Sequence, residues 1–349
     1  MTTISPYSLS QFISPKLKQQ WNRMPANTAL IGGAIIAAAG ITYLRYRWDV
    51  QPSLSDSDKT TEAVKRVAKN TPMAVGTGRI VHIQGAKYLI VKTQDGLPDA
   101  YTLAEETQKL AGDGAYGIAK KVYSLYTNTY SRVMKVPLLS SEMDTLANGI
   151  QMVSLVNPDG KTRGCIKTPY PVTEIAANGQ PVLCGTLMDA YDYDAEVAQS
   201  PGEIISALHT DPNSEIYVLD IYHQALSIVL KLEEKGVEHR DIKDKNILVS
   251  READGFINFH LGDWDHAIAN EAREEIEYNF KDMVFTVDKI LKESSLNTKH
   301  PFLPSLLYRT CTPQELLNDL NQKLISRARS EPSPLWQKAA QRAGLTNAL

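Results

Sequence analysis

The sequence predicts an α+β protein, with β-rich segments in its first half, amphipathic helices in its second, and one apolar helix ahead of both. Three observations carry that expectation. Extended, β-rich runs occupy Arg79 to Thr93 and the flanks of a glycine cluster, Tyr101 to Leu110 and Ile118 to Tyr126. Apolar residues recur at helical spacing from Ile216 to Lys235, and again at Leu316, Leu317, Leu320 and Leu324. Met24 to Leu44 contains no charged residue, which at about 1.5 Å of rise per residue matches a hydrocarbon layer of about 30 Å.

Composition bounds the rest. At 349 residues the chain can hold two average domains or one large two-lobed domain, and 43% apolar residues suffice for a sizeable core, which excludes wholesale disorder. Lys plus Arg number 37 against 40 Asp plus Glu, so the net charge of -3 gives no pull towards polyanions and no nucleic-acid partner is expected. Cys165, Cys184 and Cys311 are odd in number, far apart and without C-x-x-C spacing. Neither a disulfide framework nor a zinc knuckle follows, and a reducing compartment fits.

In chain order, residues 1–23 form an N-terminal arm and 24–45 a transmembrane helix, with Trp21, Tyr43 and Trp48 suited to the two interfaces. Because the stretch is rich in Ala and Gly, a buried soluble helix and a cleaved export signal ending near Ala37 and Ala39 stay open as readings. Residues 46–72 are a polar linker holding a short helix at Glu62 to Ala68. Residues 73–100 are a β-hairpin turning at Gly85, an extension before the main domain at 101–329, and 330–349 form a C-terminal tail. Thr312, Pro313 and Glu315 suit the start of the last core helix.

The chemistry concentrates in four places. EHRDIKDKNILVS, Glu238 to Ser250, sets His239, Arg240, Asp241 and Asn246 in H-R-D-x-x-x-x-N spacing between a predicted helix and a short strand. Gly112, Gly114 and Gly117 give G-x-G-x-x-G; alone they are equally turn glycines, but their extended flanks suit a strand pair lying over phosphates better than a dinucleotide-binding turn. Lys135 closes an apolar run, where a lone lysine is usually surface, 18 residues after Gly117. HLGDWDHA places Asp263, Trp264 and Asp265 at the end of an apolar, β-compatible run. Mg²⁺ prefers hard oxygen ligands in an octahedral array, and Asp263 with the side-chain carbonyl of Asn246 supplies two of them.

With these motifs in order, the stretch from Tyr101 to Arg329 resembles the protein-kinase-like superfamily, in a divergent form of the eukaryotic-type Ser/Thr protein kinases. The resemblance implies a two-lobed protein-kinase-like fold, a small β-rich N-lobe over a helical C-lobe, with ATP and Mg²⁺ in the cleft between them. It implies Gly112, Gly114, Gly117 and Lys135 on the phosphates, and the backbone near Asp189 and Tyr191 against the adenine. Asp241 is then the carboxylate at the acceptor hydroxyl, Lys243 the cation on the γ-phosphate, and Asn246 and Asp263 the metal ligands. Asp282 is the helix aspartate that steadies the catalytic loop.

The departures matter too. The nearest candidates for the helix glutamate that pairs with Lys135 are Glu142 and Asp144, seven and nine residues on, closer than the family pattern has it. Asp265 stands where glycine is usual, offering a second-metal carboxylate or costing flexibility. Only 16 residues separate Asp265 from Asp282, so the activation segment is truncated. That gap lacks Ser and Thr, and Glu271, Glu274, Glu275 and Glu277 stand either as partners for Arg240 or as a solvated acidic helix.

The expected function is an ATP-dependent transfer of phosphate to a Ser or Thr hydroxyl of a protein. The alternatives are a membrane-tethered pseudokinase scaffold and a small-molecule kinase of the aminoglycoside or sugar type. Because ATP and magnesium are cytosolic, the catalytic domain is expected to face a cytosol from a single-pass membrane anchor. A eukaryotic-type loop beside such an anchor also resembles kinases delivered into hosts by intracellular bacteria.

Overall fold

Turn chemistry organises the first strands. Gln84 and Gly85 both take positive φ, 51° and 81°, the mirror-image turn whose twist matches a two-stranded ribbon. It joins β1 (Thr77–Ile83) to β2 (Ala86–Lys92) in antiparallel register, Ile83 opposite Ala86. The computed structural model describes residues 58–104, 109–113, 117–139, 142–191, 201–269, 277–296, 311–331 and 333–349.

The following strands are β3 (Pro98–Thr102), β4 (Lys109–Asp113), β5 (Gly117–Ser124) and β6 (Arg132–Pro137). Helix α1 (Asp58–Asn70) precedes the strands, and after helix α2 (Met143–Val156) come β7 (Tyr170–Ile175) and β8 (Pro181–Asp189). The sheet runs β3-β2-β1-β7-β8-β6-β5-β4, and β3 also pairs with β5 through Tyr101 opposite Ser124 and Thr102 opposite Tyr123. Seven strands therefore close into a barrel, with β4 hanging from β5. The barrel is mixed, because β1 and β7 run parallel at Gly78–Val172 and Arg79–Thr173.

This closure overturns the expected two-lobed protein-kinase-like fold with its small β-rich N-lobe. The hairpin expected as an extension instead supplies two staves of the barrel, inserted between β3 and β7. Alternation along a strand reveals which face is buried, but not which distant strand pairs with it. Closure also leaves no unpaired edge on those seven strands.

Helix α1 (Asp58–Asn70) covers one side of the barrel and is longer than the short helix expected in a polar linker. Val64, Val67 and Ala68 form a narrow apolar stripe, and Val64 and Ala68 pack on Tyr88, Ile90, Ala100 and Leu125. Side chains alternate along β2, so Leu89 and Val91 face the barrel interior, where both are buried. A single stripe of that width was enough to dock an otherwise polar segment.

The second half of the chain is built round α4 (Ser214–Lys235), which follows the one-and-a-half-turn α3 (Pro201–Ser206) and ends at Gly236 in the left-handed region. Helices α5 (Glu277–Glu293), α6 (Pro313–Ser330) and α7 (Pro334–Arg342) complete this core. α6 begins with the expected signature: Thr312 and Glu315 form a reciprocal capping box, and Leu316, Leu320 and Leu324 are buried. The expected C-terminal tail is α7, whose Trp336, Ala339 and Ala340 belong to the core.

The expected membrane anchor is likewise corrected. Among the described residues no helix is long and apolar enough to cross a membrane. α4 has the length, 22 residues, but carries Glu215, Asp220, Lys231, Glu233, Glu234 and Lys235. The span expected at 24–45 lies outside the described residues, and the membrane localisation drawn from it is withdrawn.

Candidate functional site

The segment that follows α4 is held between two short ladders. β9 (Val237–Glu238) pairs with β12 (Ile268–Ala269), and β10 (Ile247–Arg251) pairs with β11 (Ile257–Leu261). The loops 239–246 and 262–267 therefore leave and enter the same two ladders and lie side by side. Gly262 N–H donates to the Asn246 carbonyl at 2.8 Å, and His239 Nε2 donates to the Gly262 carbonyl at 3.1 Å.

His239 is fully buried, and burial lowers its pKa to about 4, so it is neutral at pH 7. With Nε2 donating, Nδ1 accepts from Asp241 N–H at 3.4 Å. The imidazole stands edge-on to Trp264 at 4.9 Å, and the indole Nε1 donates to the Leu261 carbonyl at 2.8 Å. Arg240 and Asp263 sit at φ 65° and 56°, left-handed conformations costing about 1 kcal/mol or more for residues with a Cβ. These contacts hold both turns in place.

The helix partner of the loop is Asn279 on α5. Its Oδ1 accepts from His239 N–H at 2.9 Å and its Nδ2 donates to the Val237 carbonyl at 2.8 Å. Asp282, expected in that role, lies one turn later on the exposed side of α5. Partial burial and the neighbouring Glu238 raise its pKa. Arg240 pairs with Glu238 at 3.1 Å, while Glu271, Glu274 and Glu275 lie outside the described residues, as does the side chain of Glu277.

Asp241 accepts both from Lys243 Nζ, at 2.6 and 2.8 Å, and from Asn246 Nδ2 at 2.8 Å. The Asn246 amide also donates to the Asp241 carbonyl at 2.8 Å. With both bonds made by Nδ2, the carbonyl Oδ1 of Asn246 is left as an available oxygen ligand.

Lys135 reaches this cluster from the barrel. β6 lies between β5 and β8, with Lys135 opposite Ala119 and Thr186. Its ammonium meets Asp263 Oδ1 at 2.6 Å and Asp265 Oδ2 at 2.8 Å. Burial disfavours the charged lysine, but the two carboxylates outweigh it and its pKa lies above the ordinary value. Asp263 is pulled below the usual carboxylate range because Lys135 outweighs its burial. Asp265 lies above that range, burial exceeding the pull of Lys135.

Glycines border the lysine. A Cβ on Gly117 would stand 3.0 Å from the Val136 carbonyl and 3.5 Å from Lys135 Cε. Gly112, on β4, pairs opposite Ala119. Gly114 lies outside the described residues. Neither Glu142 nor Asp144 pairs with Lys135: Glu142 Oε2 accepts from Leu139 N–H at 3.2 Å, and Asp144 lies in the first turn of α2.

Asp189 and Tyr191 belong to other surroundings. Asp189 pairs with Arg132 and with Lys167, and Ala190 N–H donates to the Ser131 carbonyl at 2.9 Å. The Tyr191 ring packs on His260 at 4.7 Å. They line a cavity of about 670 Å³ together with Arg163, Gln224 and Arg342, which contains none of Lys135, Asp241, Asn246 and Asp263. Another cavity, about 540 Å³ between α2 and β7–β8, also excludes those four.

Sequence reasoning misses Asn279, Asn148 and Gly149, and it weighs Asp265 as a second-metal carboxylate or a cost in flexibility, not as a partner of Lys135. Asparagine and glycine on a helix carry no distinctive signal. Their roles come from which turn the helix meets.

The assembled cluster sets two lysines, Lys135 and Lys243, against three carboxylates, Asp241, Asp263 and Asp265, a formal balance of one negative charge. A divalent cation would invert that to +1 and favour a polyphosphate. Among the described residues no group of three or more His, Cys, Asp and Glu forms a metal cage. Two oxygen ligands, Asn246 Oδ1 and Asp263, suit an ion that completes its shell with water and phosphate, as Mg²⁺ does. No family model matches this chain, and comparison with curated proteins finds no match.

Proposed function

We propose that the chain is an ATP- and Mg²⁺-dependent phosphotransferase that moves the γ-phosphate to a hydroxyl, with Ser and Thr side chains of proteins as acceptors. The single observation that carries this reading is the meeting of Lys135 with Asp263 at 2.6 Å. It brings a cation from a barrel strand onto the carboxylate that neighbours Asn246 and, through it, Asp241. Sites of this chemistry are not bound to one fold, so a closed mixed barrel above the cluster is compatible with it.

Phosphoryl transfer asks for cations on the phosphate oxygens and one carboxylate at the acceptor. Mg²⁺ on Asp263 and Asn246 would screen the phosphate charge. Lys135 then exchanges Asp263 for phosphate oxygens. Lys243, more exposed and resting on Asp241, is free to move to the γ-phosphate. Asp241 accepts the hydrogen bond of the acceptor hydroxyl, aiming its oxygen at phosphorus. The new O–P bond forms as the bond to the β-phosphate oxygen breaks, and the hydroxyl proton passes to Asp241. His239, neutral and buried, holds the Asp241 backbone instead of exchanging protons.

The test is transfer from γ-labelled ATP, with Mg²⁺, to a generic protein and to small hydroxyl compounds. Label is expected in protein Ser and Thr, with D241N, K135A and D263N each reduced by about 10²- to 10⁴-fold. Label in the small compounds alone moves the acceptor to that class. No transfer to either, with thermal stabilisation by Mg·ATP intact, leaves a nucleotide-binding scaffold and refutes the proposal.

A further inference from the structure

Lys135 is held by two carboxylates that differ in what else they can do. Asp263 is 36% exposed and lies next to the turn carrying Asn246, whereas Asp265 is 13% exposed and faces α2. Asp265 divides its oxygens: Oδ2 takes the ammonium, and Oδ1 points at the helix, where a Cβ on Gly149 would stand 2.7 Å from it. That separation is one no real Cβ contact tolerates, so the carboxylate occupies space that only glycine leaves. Asn148, the preceding residue on α2, donates to the carbonyls of Asp265 and Ala267 at 3.1 and 2.7 Å. The helix thus grips the 265–267 turn by its backbone and leaves a gap for its side chain.

We infer that Asp265, seated against Gly149 and stapled by Asn148, is the positioning residue that holds the Lys135 ammonium. α2 supplies the seat, and the turn itself supplies the charge. On the phosphotransferase reading, Asp263 would be shared with a divalent cation that screens the phosphate charge, and Asp265 would keep the Lys135 ammonium in place for the phosphates. Trp264, buried between the two aspartates and bonded to the Leu261 carbonyl, fixes their spacing. The metal-binding and lysine-positioning carboxylates therefore ride on one rigid turn.

The seat can be tested by moving the carboxylate across the interface. D265G opens the space beside residue 149, and G149E then sends a carboxylate from the helix towards Lys135. Two readouts are taken on the full chain: labelling of Lys135 by an amine-reactive succinimidyl ester, read by peptide mass spectrometry, and the KM and kcat for Mg·ATP. D265G and D265N are expected to raise Lys135 labelling several-fold, and D265G to lower kcat/KM by about 10²-fold, through misplacement of the ammonium. The exchange variant D265G/G149E is expected to return labelling to within twofold of wild type and to recover most of the lost kcat/KM. G149E alone, with both groups competing for one space, should resemble D265G.

If the exchange variant labels like D265G, or if D265N labels like wild type, Asp265 does not position Lys135. D265N preserves shape and carries the test should the glycine variants fail to fold. A wild-type chain that neither binds nor turns over Mg·ATP removes the phosphotransferase reading, while the labelling pattern still judges the seat.

Discussion

Arg342, at the end of α7, lies in the segment expected to be a tail, and R342A tests how far that segment is structural. Its guanidinium meets Asp220 Oδ2 through Nε and one terminal nitrogen, both at 3.2 Å. It also meets Asn258 Oδ1 at 2.9 Å, pairs with Glu252, and stacks 4.8 Å from the Phe256 ring. The Asp220 side chain is 1% exposed, so truncating Arg342 removes one partner from a buried charge, a loss of about 3–5 kcal/mol. Asp220 keeps Arg163 and Gln224, which points to the lower end, whereas Glu252 is partly exposed, keeps Lys338 and adds under about 1 kcal/mol. The sum is about 3–4 kcal/mol, a large share of an ordinary domain's stability of about 5–15 kcal/mol. Guanidinium chloride unfolding should show that loss at an unchanged m-value, and R342K should recover less than half, since one ammonium cannot reproduce the fork. A loss below about 1 kcal/mol in R342A would refute the reasoning, because it would mean that Asp220 is fully compensated without α7.

Two further predictions concern the loop at 239–246. N279A leaves the buried His239 N–H and Val237 carbonyl without their partner and should cost about 2–4 kcal/mol in denaturant unfolding, while D282A should stay within about 0.5 kcal/mol; equal losses would return the steadying role to Asp282. His239 has a folded pKa of about 4 against 6.5 in the unfolded chain, so below pH 6.5 the unfolded state binds the extra proton and stability falls as pH falls towards 4. Between pH 7 and 5 this one residue should cost about 2 kcal/mol, and H239Q should remove that share of the pH dependence. Matching pH profiles for the two chains would count against a neutral buried imidazole.

The legible part of this protein was local. Gly85 between two alternating runs was enough to place a hairpin turn, and Thr312, Pro313 and Glu315 were enough to start α6. His239, Asp241, Lys243 and Asn246 sit within a few residues of one another, so their spacing already held the contacts that Asp241 makes. Lys135 and Asp263 stand in separate motifs of the sequence, and the fold puts their side chains 2.6 Å apart.

The remainder joins segments far apart in the chain. The parallel pairing of β1 with β7 and the closing pairing of β3 with β5 make a closed barrel where a small β-rich lobe is expected. Asp265, and neither Glu142 nor Asp144, meets Lys135 because Gly149 leaves a gap for its carboxylate, and Asn279 rather than Asp282 bonds the 239–246 loop because its side of α5 faces that loop. α7 joins the core because Trp336, Ala339 and Ala340 pack there, while Asp220, buried on α4, takes the charge of Arg342. A turn or a cap is settled by interactions within a few residues, so its signal sits in the chain at that point. Strand partners and buried charge pairs are settled by which surfaces meet once everything else has packed.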